Sequence, residues 1–163
     1  MRYFWTFLVA LALGGAGGFA GGIFAYPFLF QADIVAEEPL PGSAGGRPLA
    51  QGRFIHADPG DRLHWGRGRI SLYDGLVRLE DDFEVGPGPA YHLYLVPEET
   101  VTPATDVAAS MYVDLGRLRA FKGSQNYRIP AGVDPRQYPN VVVWCEHFGV
   151  LISPARLLFE GAV

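Results

Sequence analysis

Cys145 is the residue whose type and position could carry the most specific chemistry in this sequence. It is the only cysteine among 163 residues, which excludes an intramolecular disulfide and any multi-cysteine zinc or iron–sulfur site. In a β-strand, Cys145 and His147 would lie on one face about 7 Å apart. That pair could ligate copper or a haem iron together with another residue, or the imidazolium could favour the thiolate. The alternative is a small apolar side chain buried in the core.

The other three histidines form weaker patterns. His56 and His64 flank a turn and could converge with Asp58 and Asp61 at one end of a β domain, where they could ligate a metal. Histidines in loops are more often simply solvated, which is the alternative for this group. His92 is predicted to lie on the surface.

Composition and motifs exclude several classes of function. The chain carries 13 Lys and Arg against 17 Asp and Glu, whereas nucleic-acid binding needs clustered positive charge. The sequence contains no Gly-x-Ser-x-Gly, His-Glu-x-x-His or phosphate-binding glycine motif, so a hydrolase is not indicated. The acidic run at residues 80–84 is predicted to be a solvated turn, because Ca²⁺ needs oxygen ligands arranged around one point.

An N-terminal apolar segment would hold this chemistry at a membrane. Residues 3–32 carry no charge, and they exceed both the roughly 20 residues that span a bilayer and the apolar core of a signal peptide. We therefore predict a retained membrane anchor over residues 1–33, with a signal sequence cleaved after Ala25 as the alternative. Arg2 before the span, and acidic residues after it, predict a cytoplasmic N-terminus and an extracytoplasmic domain, periplasmic or at the cell surface.

Small residues inside the span are spaced for helix pairing. Gly14, Gly18 and Gly22 recur every fourth residue, which would let two anchors approach closely as a homodimer. The alternative is that glycine is simply frequent in membrane helices. Residues 34–49 follow with three prolines, three glycines and no hydrophobic period, which predicts a linker before a folded domain at residues 50–163.

The remaining sequence is typical of an all-β domain. Turn signals separate short alternating or β-branched runs, and Asp74-Gly75 indicates a tight hairpin. Residues 141–152 form the most apolar run, and consecutive valines with flanking prolines favour a strand there over a helix. We predict an antiparallel β-sandwich or flattened barrel of about seven to nine strands, preceded by one N-terminal transmembrane helix.

A series of short motifs extends through nearly all of this β domain. In chain order they are Gly52-Arg-Phe54; His64 with Gly68 and Ile70; Leu79 to Phe83, Gly88-Pro89 and Leu93 to Leu95; Leu118, Lys122-Gly123, Gln125 to Tyr127 and Ile129-Pro130; and Tyr138, Val143 to Cys145, Phe148, Ala155 and Leu157. The series resembles the DM thirteen domain, a family proposed to act in electron transfer and often found beside DOMON domains. The chain departs from the family pattern at Ser124, where a glycine is usual, and this affects a turn.

The resemblance implies that Cys145 is the characteristic cysteine of that family. The family cysteine is proposed to act in redox chemistry, as a bare thiol or as a ligand to a prosthetic group such as haem. His147 does not match a family motif, so its candidacy as a cofactor-binding residue rests on its spacing from Cys145 alone.

Two hypotheses from different classes explain these features. The first is a membrane-anchored extracytoplasmic redox or electron-transfer module centred on Cys145, with Trp144, His64 and Tyr127 nearby. Its partners would be the membrane and a redox partner protein, and the sequence does not choose between haem, copper and no cofactor. The second is a non-catalytic interaction module of the cell envelope in which the cysteine is buried structure. An enzyme acting alone is a third interpretation.

Overall fold

An apolar helix precedes the β domain. The computed structural model describes residues 2–159, except for the side chain of Ser43. Met1 and the last four residues of the predicted domain therefore lie outside the described residues. Helix α1 (Arg2–Tyr26) continues as one π-helical turn over Pro27–Gln31. Together they form one helix of 30 residues that is long and apolar enough to cross a membrane, a property that membrane anchors and signal sequences share.

Ten strands, joined by loops and short helical turns, make up the described part of the chain after the helix. They are β1 (Val35–Glu37), β2 (Ala50–Phe54), β3 (Gly66–Tyr73), β4 (Leu76–Leu79), β5 (Glu84–Val85), β6 (Tyr91–Val96), β7 (Val113–Arg117), β8 (Lys122–Arg128), β9 (Asn140–Cys145) and β10 (Val150–Phe159). The predicted number was lower because β1 and β5 have only three and two residues. Strands this short leave almost no periodic signal in a sequence.

All ten strands belong to one sheet. Its order is β1-β8-β4-β3-β2-β10-β9-β6-β7, with β5 bridging β3 and β8. The pairs are antiparallel except for β1 with β8, which is parallel. The predicted fold class, all-β after an N-terminal apolar helix, is confirmed, and a single wrapped sheet is compatible with either form predicted.

The two faces of the sheet carry separate apolar clusters. The inner cluster draws on most strands and includes Phe54, Ile70, Leu93, Tyr127 and Cys145. A smaller outer cluster is formed by Tyr94, Val96, Val142 and Trp144, with Val101 and Val107 from the loop after β6. Residues that alternate along β6 and β9 therefore face two different interiors.

The run at residues 141–152 is two strands joined by a turn. The chain leaves β9 after Cys145 and returns at Val150, and the Gly149 N–H donates to the Cys145 carbonyl at 2.8 Å. The run was predicted as a strand; of its residues, only Gly149 is of a type common in turns. As a result, Cys145 lies at the end of a strand and His147 lies in the turn.

The segment predicted as a linker contributes β1 to the sheet. Val35–Glu37 pair with residues 122–124 of β8. A Cβ atom at Gly123 would lie 2.1 Å from the Ala36 carbonyl oxygen, so a glycine is required for this approach. The Glu38 carboxylate accepts hydrogen bonds from Arg119 Nε at 2.7 Å and from the Asn126 N–H at 2.9 Å. These partners lie more than 80 residues away in the chain, which is why local composition did not reveal them.

The acidic run before β5 is used in ion pairs. Asp82 accepts from the backbone N–H and the side chain of Arg69, and Glu84 contacts Arg67 and Lys122. These contacts with arginine and lysine hold the pKa values of both carboxyls below their usual range, although partial burial opposes the shift. The carboxylates thus face basic side chains on neighbouring strands.

Candidate functional site at Cys145

Cys145 lies on the inner face of the sheet, where β9 ends. It pairs with Tyr91 of β6 on one side and Val150 of β10 on the other. The residue is 1% exposed, and its Sγ donates a hydrogen bond to the Pro89 carbonyl at 3.1 Å. The thiol is therefore covered by the segment that leads into β6.

That covering segment runs from Gly86 to Ala90 and is fastened on both sides. The Gly86 N–H donates to the Trp65 carbonyl at 3.0 Å, and the Glu146 N–H donates to the Ala90 carbonyl at 3.1 Å. Ala90 has a φ of +53°, which is uncommon for a residue other than glycine. This local conformation is stabilised by the bonds that the segment makes to the loop before β3 and to the turn after β9.

Packing against Tyr91 explains the second Gly-Pro pair of this segment, Gly88-Pro89. A Cβ atom at Gly88 would lie 2.2 Å from the hydroxyl oxygen of Tyr91, so only glycine fits beside that ring. Pro89 then supplies the carbonyl that accepts from the thiol. The contribution of Tyr91 and of this backbone was missed at the sequence level, although the glycine and proline run at residues 86–89 marked the segment as unusual.

Burial sets the protonation state of the thiol. Removal from water raises the pKa of Cys145, while hydrogen bonds from the backbone N–H groups of Phe148 and His147 lower it by less. Burial also raises the pKa of the neighbouring Tyr91, and the nearby Cys145 and Asp61 add to that effect. In the closed arrangement Cys145 is a protonated thiol, which is a weak nucleophile.

His147 does not form the predicted ridge with Cys145. It lies in the exposed turn after β9, with its ring against Phe148 at a centroid distance of 4.9 Å. Its contribution to the sulfur is the backbone N–H. A thiolate stabilised by the His147 imidazolium, one of the alternatives that the sequence left open, is therefore not what this structure has.

His56, His64 and Asp61 meet in the loop before β3, whereas Asp58 does not join them. His64 Nδ1 lies 2.5 Å from Asp61 Oδ2, and His56 Nε2 lies 2.7 Å from the Asp61 carbonyl oxygen. The hydrogen bond with His64 and two backbone N–H groups lower the pKa of Asp61 to about 2. Asp58 instead binds the Gly60 N–H of its own turn. The group forms a hydrogen-bonded loop at the end of the sheet where Cys145 lies.

Tyr127 and Trp144 are separated by the sheet. Tyr127 shares the inner core with Cys145, and its hydroxyl donates to Gln125 Oε1 at 2.9 Å. Burial raises the pKa of Tyr127 to about 12. Trp144 belongs to the outer cluster although it precedes Cys145 in the chain. Of the residues predicted to surround the thiol, Tyr127 shares its core, His64 lies in a loop at the same end, and Trp144 lies on the opposite face.

The side chains around the sulfur do not fit haem or copper in this arrangement. The Sγ atom is enclosed and faces a carbonyl oxygen. Among the described residues, the group of three side chains spaced to share a metal ion does not include Cys145. A copper or haem centre would need at least one more side chain positioned to bind the same metal ion as the sulfur.

The comparisons with known proteins identify the domain. Searches of curated proteins and of solved structures found no significant match. The family model described as Electron transfer DM13 matches residues 60–157, which include Cys145 and the whole Gly86–Ala90 segment. This match covers more than half of the chain and confirms the resemblance carried by the motifs. The chain belongs to the Electron transfer DM13 family.

Proposed function

We propose that the chain is a membrane-anchored electron-transfer module whose working group is the Cys145 thiol. The observation that carries this proposal is the family match, which includes both the cysteine and the segment that covers it. The function is thiol–disulfide exchange with a partner protein on the extracytoplasmic side. The closed arrangement is its resting state, because the sulfur is protonated and out of contact with solvent.

Opening of the Gly86–Ala90 segment would activate the thiol. Movement of this segment would remove the burial that raises the pKa of Cys145 and break the bond from Sγ to the Pro89 carbonyl. The N–H groups of His147 and Phe148 belong to the other side of the site and would stay with the sulfur. Without burial, these N–H groups lower the thiol pKa unopposed. Opening of the segment and activation of the thiol would therefore occur together.

The proposed thiol–disulfide exchange conserves electrons without a second cysteine in this chain. The Cys145 thiolate attacks a disulfide of the partner, forms a mixed disulfide with one partner sulfur and releases the other as a thiolate. A thiolate of a second partner then attacks the partner sulfur of the mixed disulfide, forms a disulfide with it and releases Cys145 as a thiolate. The chain has one cysteine, so both sulfurs of the exchanged disulfide must come from partners.

Helix α1 supports the membrane part of the proposal. Its length and apolar character suit a bilayer span, and Arg2 before it favours a cytoplasmic N-terminus. The Phe24 ring lies 5.3 Å from the Phe148 ring, so the end of the helix packs beside the turn that follows Cys145. We include in the proposal a homodimer through Gly14, Gly18 and Gly22, which have no atom within 4 Å of an added Cβ.

The test uses the full chain in detergent. Wild-type protein and Cys145→Ser are incubated with a small-molecule disulfide such as oxidised glutathione, and adducts are counted by intact mass. We expect one adduct on the wild type and none on the variant, with similar unfolding temperatures. Visible spectra before and after dithionite monitor haem and copper. Wild type that reacts only when globally unfolded, or a variant that retains full redox activity, would contradict the proposal.

A second candidate function is an interaction module with a structural cysteine. The observation that favours it is the almost complete burial of Cys145 together with its satisfied hydrogen bond. Buried free cysteines often act as small apolar side chains. Under this alternative, Cys145→Ala would leave every redox assay unchanged and would alter only stability.

A further inference from the structure

A second group of titratable side chains lies on the outer face of the sheet. It consists of His92 on β6, Asp114 on β7 and Glu146 directly after β9. Since β9, β6 and β7 are consecutive in the sheet, three neighbouring strands each supply one side chain. His92 was predicted to be a surface residue, and its two carboxylate neighbours gave no signal in the sequence because they are distant in the chain.

The three side chains are close enough to share one ion. His92 Nδ1 lies 3.0 Å from Asp114 Oδ2, and His92 Nε2 lies 3.3 Å from Glu146 Oε2. One ligand atom from each residue lies within 4.8 Å of the other two. A tetrahedral ion with bonds of about 2.0–2.2 Å holds its ligand atoms about 3.3–3.6 Å apart. His92 Nε2 and Glu146 Oε2 already have a separation in this range, and the ligand atoms as a group, within 4.8 Å of one another, would close in slightly around the ion.

The arrangement calls for a cation between the imidazole and one carboxylate. Both ring nitrogens of His92 face a carboxylate oxygen. A neutral imidazole has one N–H and one lone pair, so one of these contacts would set a lone pair against an anion. A metal ion bound to one ring nitrogen and to the facing carboxylate would convert that contact into two coordinate bonds. The His92 side chain is 18% exposed, whereas the two carboxylates reach solvent.

Other groups hold the two carboxylates in place. The Tyr94 hydroxyl donates to Glu146 Oε1 at 2.6 Å, so Oε2 is the oxygen turned toward His92. The Gly116 N–H donates to Asp114 Oδ1 at 2.8 Å. Tyr94 is itself buried and stacked on Tyr112 at a ring distance of 4.2 Å. Hydrogen bonds that orient the ligands from behind are typical of metal sites.

We propose that His92, Asp114 and Glu146 bind one divalent first-row transition-metal ion, such as Zn²⁺, through one imidazole nitrogen and one oxygen of each carboxylate. Water completes the coordination, since the Asp114 and Glu146 side chains are 39% and 43% exposed. Two carboxylates and a neutral imidazole balance the charge of a dication. A mixed nitrogen and oxygen donor set suits zinc or manganese, whereas calcium requires six to eight oxygens.

The side chains of this site take no part in the chemistry proposed for Cys145. The sulfur faces the inner core, whereas the three ligands lie on the outer face. An ion held there would tie together the ends of β9, β6 and β7, and it would also fix the first residue of the turn whose N–H groups reach the sulfur.

The test is calorimetric titration of the metal-free full chain in detergent with zinc chloride at pH 7.5. We expect one zinc per chain, with affinity at least about tenfold lower in His92→Ala and in Glu146→Gln. His147→Ala removes an exposed imidazole in the same turn, and Cys145→Ser removes the only thiol, so both controls should bind like the wild type. Unfolding temperatures in EDTA establish that each variant is folded.

Three results would overturn the proposal. The first is the absence of zinc binding by the wild type, and the second is unchanged binding in both His92→Ala and Glu146→Gln. The third is an equal loss of affinity in either control, which would place the ion elsewhere. If His92→Ala does not fold, the isosteric and partly exposed Glu146→Gln decides the question alone.

Discussion

Cys145 and Glu146 are consecutive in the chain, yet their side chains have opposite surroundings. Cys145 ends β9 on the inner face, enclosed and bonded to a backbone carbonyl. Glu146 begins the turn on the outer side, reaches solvent and meets His92 and Tyr94. The soft sulfur donor is thus kept dry, whereas the hard oxygen donor stays accessible to ions. The sheet separates two kinds of chemistry that the sequence presents side by side.

The largest expected difference between the two positions is their reactivity toward a maleimide. In the wild type, the thiol reacts only after the Gly86–Ala90 segment opens, and an opening free energy of about 4 kcal/mol would slow labelling about 1000-fold. In Cys145→Ser/Glu146→Cys the thiol lies on the exposed side and should label at nearly the rate of a free cysteine. Quenched labelling followed by mass spectrometry measures both rates. Rates within a factor of about ten would mean that the closed arrangement is not the native one.

A change of charge at each of the two positions should have very different effects on the free energy of unfolding. Cys145→Asp buries a carboxylate without a basic partner and should lower the free energy of unfolding by about 3–5 kcal/mol. The matched change Glu146→Gln removes an exposed charge and should alter it by less than about 1 kcal/mol. Denaturant titration of the full chain in detergent gives both values. A small loss for Cys145→Asp would show that the inner face admits water at this end.

Two tyrosines of β6 extend the comparison to hydroxyl groups on opposite faces. Tyr94→Phe removes the bond to Glu146 on the outer side and should cost about 1–1.5 kcal/mol. Tyr91→Phe removes a hydroxyl that packs against Gly88 and should cost less than about 0.5 kcal/mol. The same denaturant titrations measure the pair. Equal losses would indicate that Glu146 and Tyr94 do not form a stable bond in solution.

The last expected effect is a gradual pH dependence of stability that belongs to the inner position. Because burial raises the pKa of Cys145, the unfolded chain loses this proton at a lower pH than the folded chain. Above about pH 9 the unfolded state then binds fewer protons, and the free energy of unfolding falls by up to about 1.4 kcal/mol per pH unit. Cys145→Ala lacks this dependence, so the stability difference between the two proteins should shrink between pH 8 and pH 10. A constant difference would contradict a raised thiol pKa.

Local sequence signals were sufficient for the class of fold but not for the contents of the site. The β-branched runs and Asp74-Gly75 predicted strands and a hairpin that the structure confirms, because these features depend on neighbours in the chain. The strand at Val35–Glu37 was missed because it is stabilised by residues of β8. The same reason applies to Pro89, Tyr91 and Cys145, which meet only after β6 and β9 pair.

The outer cluster shows this limit most clearly. His92, Asp114 and Glu146 share no sequence motif, and a register shift between His92 and Tyr94 is needed to bring β7 into position. Irregularities of this kind depend on the packing of the whole sheet. Alternation along β6 was enough to assign His92 to the outer face, but not to identify its neighbours.

Pairing of β1 with β8 leaves only residues 32–34 between the helix and the sheet. Three extended residues reach about 10 Å, a small fraction of what a free segment of residues 34–49 would allow. Under the proposed membrane anchoring, the domain would be held close to the membrane surface with little freedom to swing or rotate. Its encounters would then depend on lateral diffusion in two dimensions, which favours partners that are themselves membrane-bound and that present their reactive group at a matching height.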